Sequence, residues 1–97
     1  MLFRSDLINV IGVTQSYTAA LDDEYIGVSS ASAVTITLPT AVNGRVYTIK
    51  DEYGQGSGKI TIQPQSGSTI DGKPNYIISV PNQSINIVCR ANKWWIM

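Results

Sequence analysis

The dominant pattern along the chain is a two-residue alternation of apolar and polar side chains. Val34–Leu38 places three apolar side chains on one face and two threonines on the other, and Pro39 ends the run. Lys59–Gln63 repeats the pattern and stops at Pro64. Alternation of this kind predicts half-buried β-strands, and a proline marks a position where a strand cannot easily continue.

Further short strands are predicted where β-branched and aromatic residues lie between turn residues. No stretch shows the 3.6-residue apolar spacing of an amphipathic helix, and only residues 4–12 leave room for a helical turn. We therefore predict an all-β fold, a small antiparallel β-sandwich or barrel of about 7–8 short strands. The additional predicted strands are Tyr25–Val28, Val46–Lys50, Tyr76–Val80, Ser84–Arg90 and a last strand that contains both tryptophans.

Chain length and composition narrow the possible functions. A chain of 97 residues forms one domain with a thin core, and self-association would bury more apolar surface. Seven basic and seven acidic residues give a net charge of zero, which argues against nucleic acid as a partner. No apolar stretch approaches the ~20 residues of a membrane span, so we expect no membrane partner and synthesis in a cytoplasm. The sequence contains no histidine and one cysteine, Cys89, which we expect to be a small buried hydrophobe.

The glycine-rich stretch at residues 51–62, DEYGQGSGKITI, superficially resembles a phosphate-binding loop. A P-loop needs a glycine at position 53 and a hydroxyl residue after Lys59, but these positions hold Tyr53 and Ile60. A strand also follows the stretch where a P-loop has a helix. We therefore predict a loop connecting two antiparallel strands, with Asp51 and Glu52 in a surface turn and no cofactor, metal or catalytic residue.

Two adjacent tryptophans, Trp94 and Trp95, lie near the end of the chain. Neighbouring residues of a strand face opposite sides, so one indole can fill the core while the other cannot. The outward indole has three possible roles: it packs against another subunit, contacts the face of a sugar, or covers the edge of its own sheet. Subunit contact or edge shielding is favoured, because a sugar site usually adds nearby polar partners.

Four segments in order resemble a β module of tailed-bacteriophage virion proteins, of the tail-fibre and capsid-decoration (head-fibre) type. The resemblance covers about residues 17–97, and strands at Tyr25–Val28 and Val34–Pro39 match the same order. The turn before the tryptophans departs from the family's usual Asp-Gly pattern. The segments are Gly44–Glu52, Lys59–Pro64, Ser68–Gly72 and Lys93–Ile96.

The resemblance implies a compact antiparallel β domain at residues 17–97, assembled as a homotrimer on the virion exterior. We expect a non-enzymatic capsid decoration (cement) protein, with residues 1–16 as an arm that docks on the shell or crosses to a neighbouring subunit. The expected partners are further copies of the chain and the major capsid protein or other virion proteins. Interface candidates are Trp94, Trp95, Tyr47 and Tyr76, and docking-arm candidates are Leu2, Phe3, Arg4, Leu7, Ile8 and Val10.

The sequence is compatible with two other functions. A tail-fibre or receptor-binding module would contact host surface glycans through its tryptophan and tyrosine side chains. An enzyme is the poorest interpretation, since the sequence has no histidine and no nucleophile motif.

Overall fold

A computed structural model describes residues 7–54, 56 and 58–97 of the chain. These residues form nine β-strands and no helix. The described part of the chain therefore contains no helix that could span a membrane. The all-β prediction is confirmed. The strands are β1 (Val10–Val13), β2 (Tyr17–Thr18), β3 (Tyr25–Val28), β4 (Val34–Thr37), β5 (Val46–Asp51), β6 (Ile60–Gln63), β7 (Tyr76–Ile78), β8 (Ser84–Arg90) and β9 (Lys93–Ile96).

The strands form two mixed sheets, and the chain passes back and forth between them. The five-stranded sheet has the order β1-β3-β5-β8-β9, and the four-stranded sheet has the order β2-β4-β6-β7. Residues 10–18, 25–37 and 46–63 are therefore three coils, each of which adds one strand to the five-stranded sheet and then one to the four-stranded sheet. Stacking successive coils in this way places strands of the same direction side by side.

The expectation of purely antiparallel pairing is wrong. The coil-to-coil pairs β1–β3, β3–β5, β2–β4 and β4–β6 are parallel. Only β5–β8, β6–β7 and β8–β9 are antiparallel. The two-residue alternation reports which face a side chain takes and carries no information on the direction of the neighbouring strand.

Two strands lie at positions where no strand was predicted. β1 falls within the predicted arm at residues 1–16, and it pairs along its whole length with β3 of the same chain. β2 begins directly after that arm and pairs with β4. The alternation in β1 is hidden because Gly12 carries no side chain and Val10, on the outer face, is apolar.

Residues of both sheets contribute to one hydrophobic core. Its members come from eight of the nine strands and from the connecting segments, and Cys89 is among them, as predicted. Trp94 and Tyr47 have the largest side chains in it, and both are fully buried. The core is Val13, Ala19, Ile26, Val28, Val34, Ile36, Leu38, Tyr47, Ile49, Ile60, Ile62, Ile70, Ile78, Ile85, Ile87, Cys89 and Trp94.

A tight turn sets the position of the two tryptophans. Ala91 and Asn92 connect β8 to β9, as predicted, and both have positive φ, at 58° and 64°. Two consecutive residues with positive φ form the two-residue turn that matches the twist of a hairpin. Asn43 Oδ1 accepts the Ala91 N–H at 2.8 Å and holds the turn. The hairpin therefore closes without a glycine, although an alanine at positive φ costs about 1 kcal/mol.

Candidate interaction surfaces

The alternation in β9 separates the two tryptophans, as the sequence predicts. Trp94 has no exposed surface, whereas 37% of Trp95 is exposed. The Trp94 ring contacts Tyr47 in the core, with ring centroids 5.8 Å apart and planes inclined by 45°. One indole thus fills the core, and the other lies on the outer side of the five-stranded sheet.

Tyr47 and Trp94 offer no surface to a second chain. Tyr47 donates its hydroxyl proton to the Ala20 carbonyl oxygen at 2.8 Å, and burial raises the pKa of this tyrosine. Trp94 Nε1 and Thr69 Oγ1 are buried without a hydrogen-bond partner. Both aromatic side chains belong to the interior of the single chain, so the interface candidates that reach its surface are Trp95 and Tyr76.

An apolar row crosses the outer side of the five-stranded sheet around Trp95. Val46 pairs with Val88 and Val88 pairs with Trp95, so these three side chains are direct neighbours. Met97 follows on the same side and is 66% exposed, and Val46 is 43% exposed. The Trp95 Nε1 donates to the Arg90 carbonyl oxygen at 3.1 Å, which fixes the indole against its own hairpin. We call Val46, Val88, Trp95 and Met97 the outer patch.

Between the outer patch and Val10 at the β1 edge, this sheet face is polar and hydrogen-bonded within the chain. Thr48 Oγ1 donates to Asn86 Oδ1 at 2.6 Å, and Tyr25 donates its hydroxyl proton to Glu52 at 2.7 Å. The hydrogen bond to Glu52 raises the pKa of Tyr25 to about 12. A Cβ at Gly27 would overlap the Glu52 carboxylate, so this glycine lets Glu52 lie across the sheet. The outer patch is therefore separated by polar side chains from Val10, the exposed apolar residue at the β1 edge of the same face.

Tyr76 lies in β7, at the edge of the four-stranded sheet. Its side chain is half-buried and packs against the core, and Gln83 Nε2 donates to its hydroxyl oxygen at 2.6 Å. The outward residues beside β7 are threonines, because Ile77 pairs with Thr61 and Thr61 pairs with Thr35. Tyr76 and Trp95 therefore lie on different sheets and do not form one aromatic platform.

The described part of the predicted docking arm is apolar and exposed. Leu7 is 90% exposed, Ile8 52% and Val10 66%. Val10 is the first residue of β1, at the free edge of the five-stranded sheet. The remaining arm candidates, Leu2, Phe3 and Arg4, lie outside the described residues.

The glycine-rich loop surrounds a carboxylate of its own chain. Asp51 was expected in a surface turn, but it is fully buried, and the loop joins strands of different sheets. The Gly54 N–H donates to Asp51 Oδ1 at 2.9 Å, and the N–H groups of Gly56 and Asn82 donate to Oδ2 at 2.8 and 3.3 Å. Gly56 is required there, because a Cβ would lie 2.5 Å from the backbone nitrogen of Pro81. These amides are therefore already occupied by an anion, the Asp51 side chain.

Asp51 could have been recognised from the strand pattern. Continuing the alternation of Tyr47 and Ile49 by two residues places Asp51 on the inner side of β5. A carboxylate in that position requires several donors, and the glycines that follow supply backbone N–H groups. The neighbouring charges at Lys50 and Glu52 masked this signal, because they made the segment resemble a solvated turn.

No protein-family model matches the chain, and no curated protein is significantly similar to it.

Proposed function

We propose that the chain is a non-enzymatic structural protein of a tailed-phage virion, a trimeric capsid decoration protein on the particle exterior. The observation that supports this proposal best is the outer patch, a contiguous row of apolar side chains on the outer face of the five-stranded sheet. Contiguous exposed apolar side chains on a small domain are typical of a protein–protein contact. The resemblance at residues 17–97 supplies the virion context.

The outer patch is the proposed three-fold contact. In a closed trimer each copy covers the Trp95 indole and the Val46 side chain with a neighbour, which adds the apolar burial that one thin core lacks. The indole suits this role because its hydrogen bond to Arg90 already fixes its orientation and lowers the entropy lost on association. We propose that the two sheets are the layers of a β-sandwich, so that each chain contributes one outer face to the trimer.

The docking contact to the shell is proposed at the other end of the five-stranded sheet. Leu7, Ile8 and Val10 are exposed there, at the edge opposite β9. An apolar segment beside a free strand edge is well suited to contact a major capsid protein or another virion protein. The outer patch and the arm would then serve different partners.

The alternative is a tail-fibre or receptor-binding module that contacts host surface glycans. The exposed part of Trp95 favours it, since a fixed indole can stack on a sugar ring. Its Nε1 is already bonded to Arg90, however, so the polar contacts to a sugar would have to come from other groups.

Immunogold labelling of intact virions with an antibody against this chain tests the proposed function. We expect gold over the heads, and heads without the chain should release their DNA more readily under osmotic or thermal stress. Gold at the tail tip would support the receptor-binding alternative instead. Virions without any label would contradict both functions.

Trp95→Ser is expected to abolish the three-fold association. The change removes the largest side chain of the outer patch and leaves the fully buried core untouched. Static light scattering of the purified protein would show a mass that is no longer a multiple of three chains. Ile77→Ser is the matched control, because Ile77 is similarly exposed, at 46%, but lies on the four-stranded sheet. Equal effects of the two changes, or a wild type without three-fold mass, would exclude the outer patch as the trimer contact.

A further inference from the structure

The two edges of the five-stranded sheet differ in whether their outward backbone groups are hydrogen-bonded within the chain. The β9 edge is covered by the segment before β7: Trp94 N–H donates to the Thr69 carbonyl oxygen at 2.8 Å, and Asp71 N–H donates to the Trp94 carbonyl oxygen at 2.9 Å. The Ile96 N–H donates to Asp71 Oδ1 at 3.0 Å. The outward N–H groups of Trp94 and Ile96 and the Trp94 carbonyl oxygen are thus used within the chain.

The β1 edge is open. The Asn9 carbonyl oxygen accepts from Tyr25 N–H at 3.0 Å and the Val13 carbonyl oxygen accepts from Ser29 N–H at 2.9 Å, so odd-numbered residues of this strand face β3. The N–H and C=O groups of Val10 and Gly12 must then point away from the sheet. No described residue of the chain pairs with them.

This edge carries none of the usual protections against strand pairing. Natural edge strands are commonly blunted by lysine, proline or a bulge. Residues 7–21 contain no charged residue and no proline. Ile8 and Val10 expose about half or more of their surfaces, and Ile11 is half-buried. An added strand would therefore gain both backbone hydrogen bonds and apolar contacts.

We propose that the occupant is a second copy of this chain, paired through β1 in antiparallel fashion about a two-fold axis at Ile11. Val10 of each copy then lies opposite Gly12 of the other. Because both residues direct their backbone groups outward, each Val10–Gly12 pair exchanges two hydrogen bonds, about four in total. The five-stranded sheets of two chains become one continuous sheet.

The side chains are self-complementary in this register. On the outer face, Val10 lies beside Gly12, which has no side chain to oppose it. On the inner face, the half-buried Ile11 of one copy meets Ile11 of the other. A two-fold contact places groups close to the axis near their own copies, so a charge on this short edge would repel its equivalent. The charge-free segment 7–21 avoids this repulsion.

This contact goes beyond the proposed virion function, because it concerns the free protein in solution. The outer patch and the β1 edge lie on different parts of the sheet, so one chain can use both. The free protein would then be a pair of trimers. Two-fold pairing and docking on a shell exclude each other if both use the β1 edge, so adding shells should dissociate the pairs.

Gly12→Pro is expected to abolish the two-fold pairing. The Gly12 N–H faces away from β3, so proline removes a hydrogen bond to the second copy and none within the sheet. Gly12→Ala is the matched control, because its Cβ would be 4.0 Å from the nearest atom, the Gly27 carbonyl oxygen, and its N–H is kept. Light scattering should show half the wild-type mass for the proline variant and an unchanged mass for the alanine variant.

Combining Gly12→Pro with Trp95→Ser distinguishes the two-fold contact at β1 from the trimer contact at the outer patch. We expect six chains in the wild type, three in Gly12→Pro, two in Trp95→Ser and one in the double variant. Failure of the trimer proposal alone would give a wild-type dimer that Gly12→Pro still converts to a monomer. A wild type whose mass is unaffected by Gly12→Pro would overturn the pairing.

Amide hydrogen exchange provides an independent measurement. In the paired protein the Val10 N–H should exchange at least ~10-fold more slowly than in Gly12→Pro, since the pair buries and bonds it. Val10→Lys is a second variant in case proline impairs folding, because Val10 is 66% exposed and a lysine there repels its copy. Rapid exchange of Val10 in concentrated wild type, together with no loss of mass in Val10→Lys, would show that the edge is free and would overturn the proposal.

Discussion

Asp51→Ala should lower the free energy of unfolding by roughly 3 kcal/mol or more, because it leaves several buried N–H groups without an acceptor. Gly54, Gly56 and Asn82 donate to this carboxylate at 2.8–3.3 Å, and Asp51 itself is fully buried. The carboxylate also joins the loop after β5 to the loop before β8, so its removal frees both. Urea unfolding followed by circular dichroism measures the loss.

Glu52→Ala is the control for the Asp51 change. It removes the neighbouring carboxylate, which is exposed and accepts one hydrogen bond, from Tyr25. Substitutions at exposed positions usually change the free energy of unfolding by no more than about 0.5 kcal/mol. If the two variants unfolded at the same urea concentration, the amides around Asp51 would be contributing little.

The Asp51 carboxylate should also make the stability of the fold depend on pH. Burial alone would raise the pKa of Asp51, but the backbone N–H groups of Gly56, Gly54, Asn82 and Tyr53 hold its pKa below the usual value. A depressed pKa in the folded state stabilises the fold above the pKa of the unfolded chain, about 3.9, and this contribution is lost as pH falls through the folded-state value. Wild type should therefore lose stability in acid more steeply than Asp51→Asn. Parallel pH profiles would contradict this.

The strands were largely predictable because one face of each is buried. Tyr25–Val28 and Ser84–Arg90 were predicted with the bounds that the structure shows, and Val34–Leu38 was predicted one residue too long. Buried and exposed side chains alternate strictly along β8, so its period is visible in the sequence. β1 was missed because Gly12 and an exposed Val10 remove the contrast between its faces.

The coiled arrangement of the chain could not be predicted in the same way. Residues 25–37 and 46–63 each form one coil, but their lengths and loops differ, and no repeated motif marks them. Parallel pairing between coils depends on how far the chain travels between strands, which alternation does not encode. The expectation of antiparallel neighbours was correct only from β7 onward and for β5 with β8.

The interaction surfaces were partly predictable. The sequence shows that Trp94 and Trp95 face opposite sides, but only the register with β8 identifies which one is outside and that Val88 is its neighbour. The open edge of β1 has no sequence signal other than a lack of charge, since an edge is defined by which strands are its neighbours. Both proposed contacts therefore depend on which strands are neighbours in the sheet and in which register they pair.

Trp94→Ala should lower the free energy of unfolding by ~3–5 kcal/mol, because it opens a cavity beside Tyr47 in the core. A domain is typically stable by only about 5–15 kcal/mol, so this variant should be largely unfolded at moderate urea concentrations. Trp94→Phe should cost clearly less. It keeps an aromatic ring against Tyr47 and removes the buried Nε1 that has no hydrogen-bond partner.

Trp95→Ala is the matched control for Trp94→Ala, measured at a protein concentration low enough for single chains. It removes the same side chain from the adjacent position, where 37% of the surface is already exposed and no core contact is lost. The ratio of the two losses therefore measures how much of the small core depends on one buried indole. Equal losses at the two positions would mean that Trp94 does not fill the core, and the division between a core tryptophan and an interface tryptophan would fail with it.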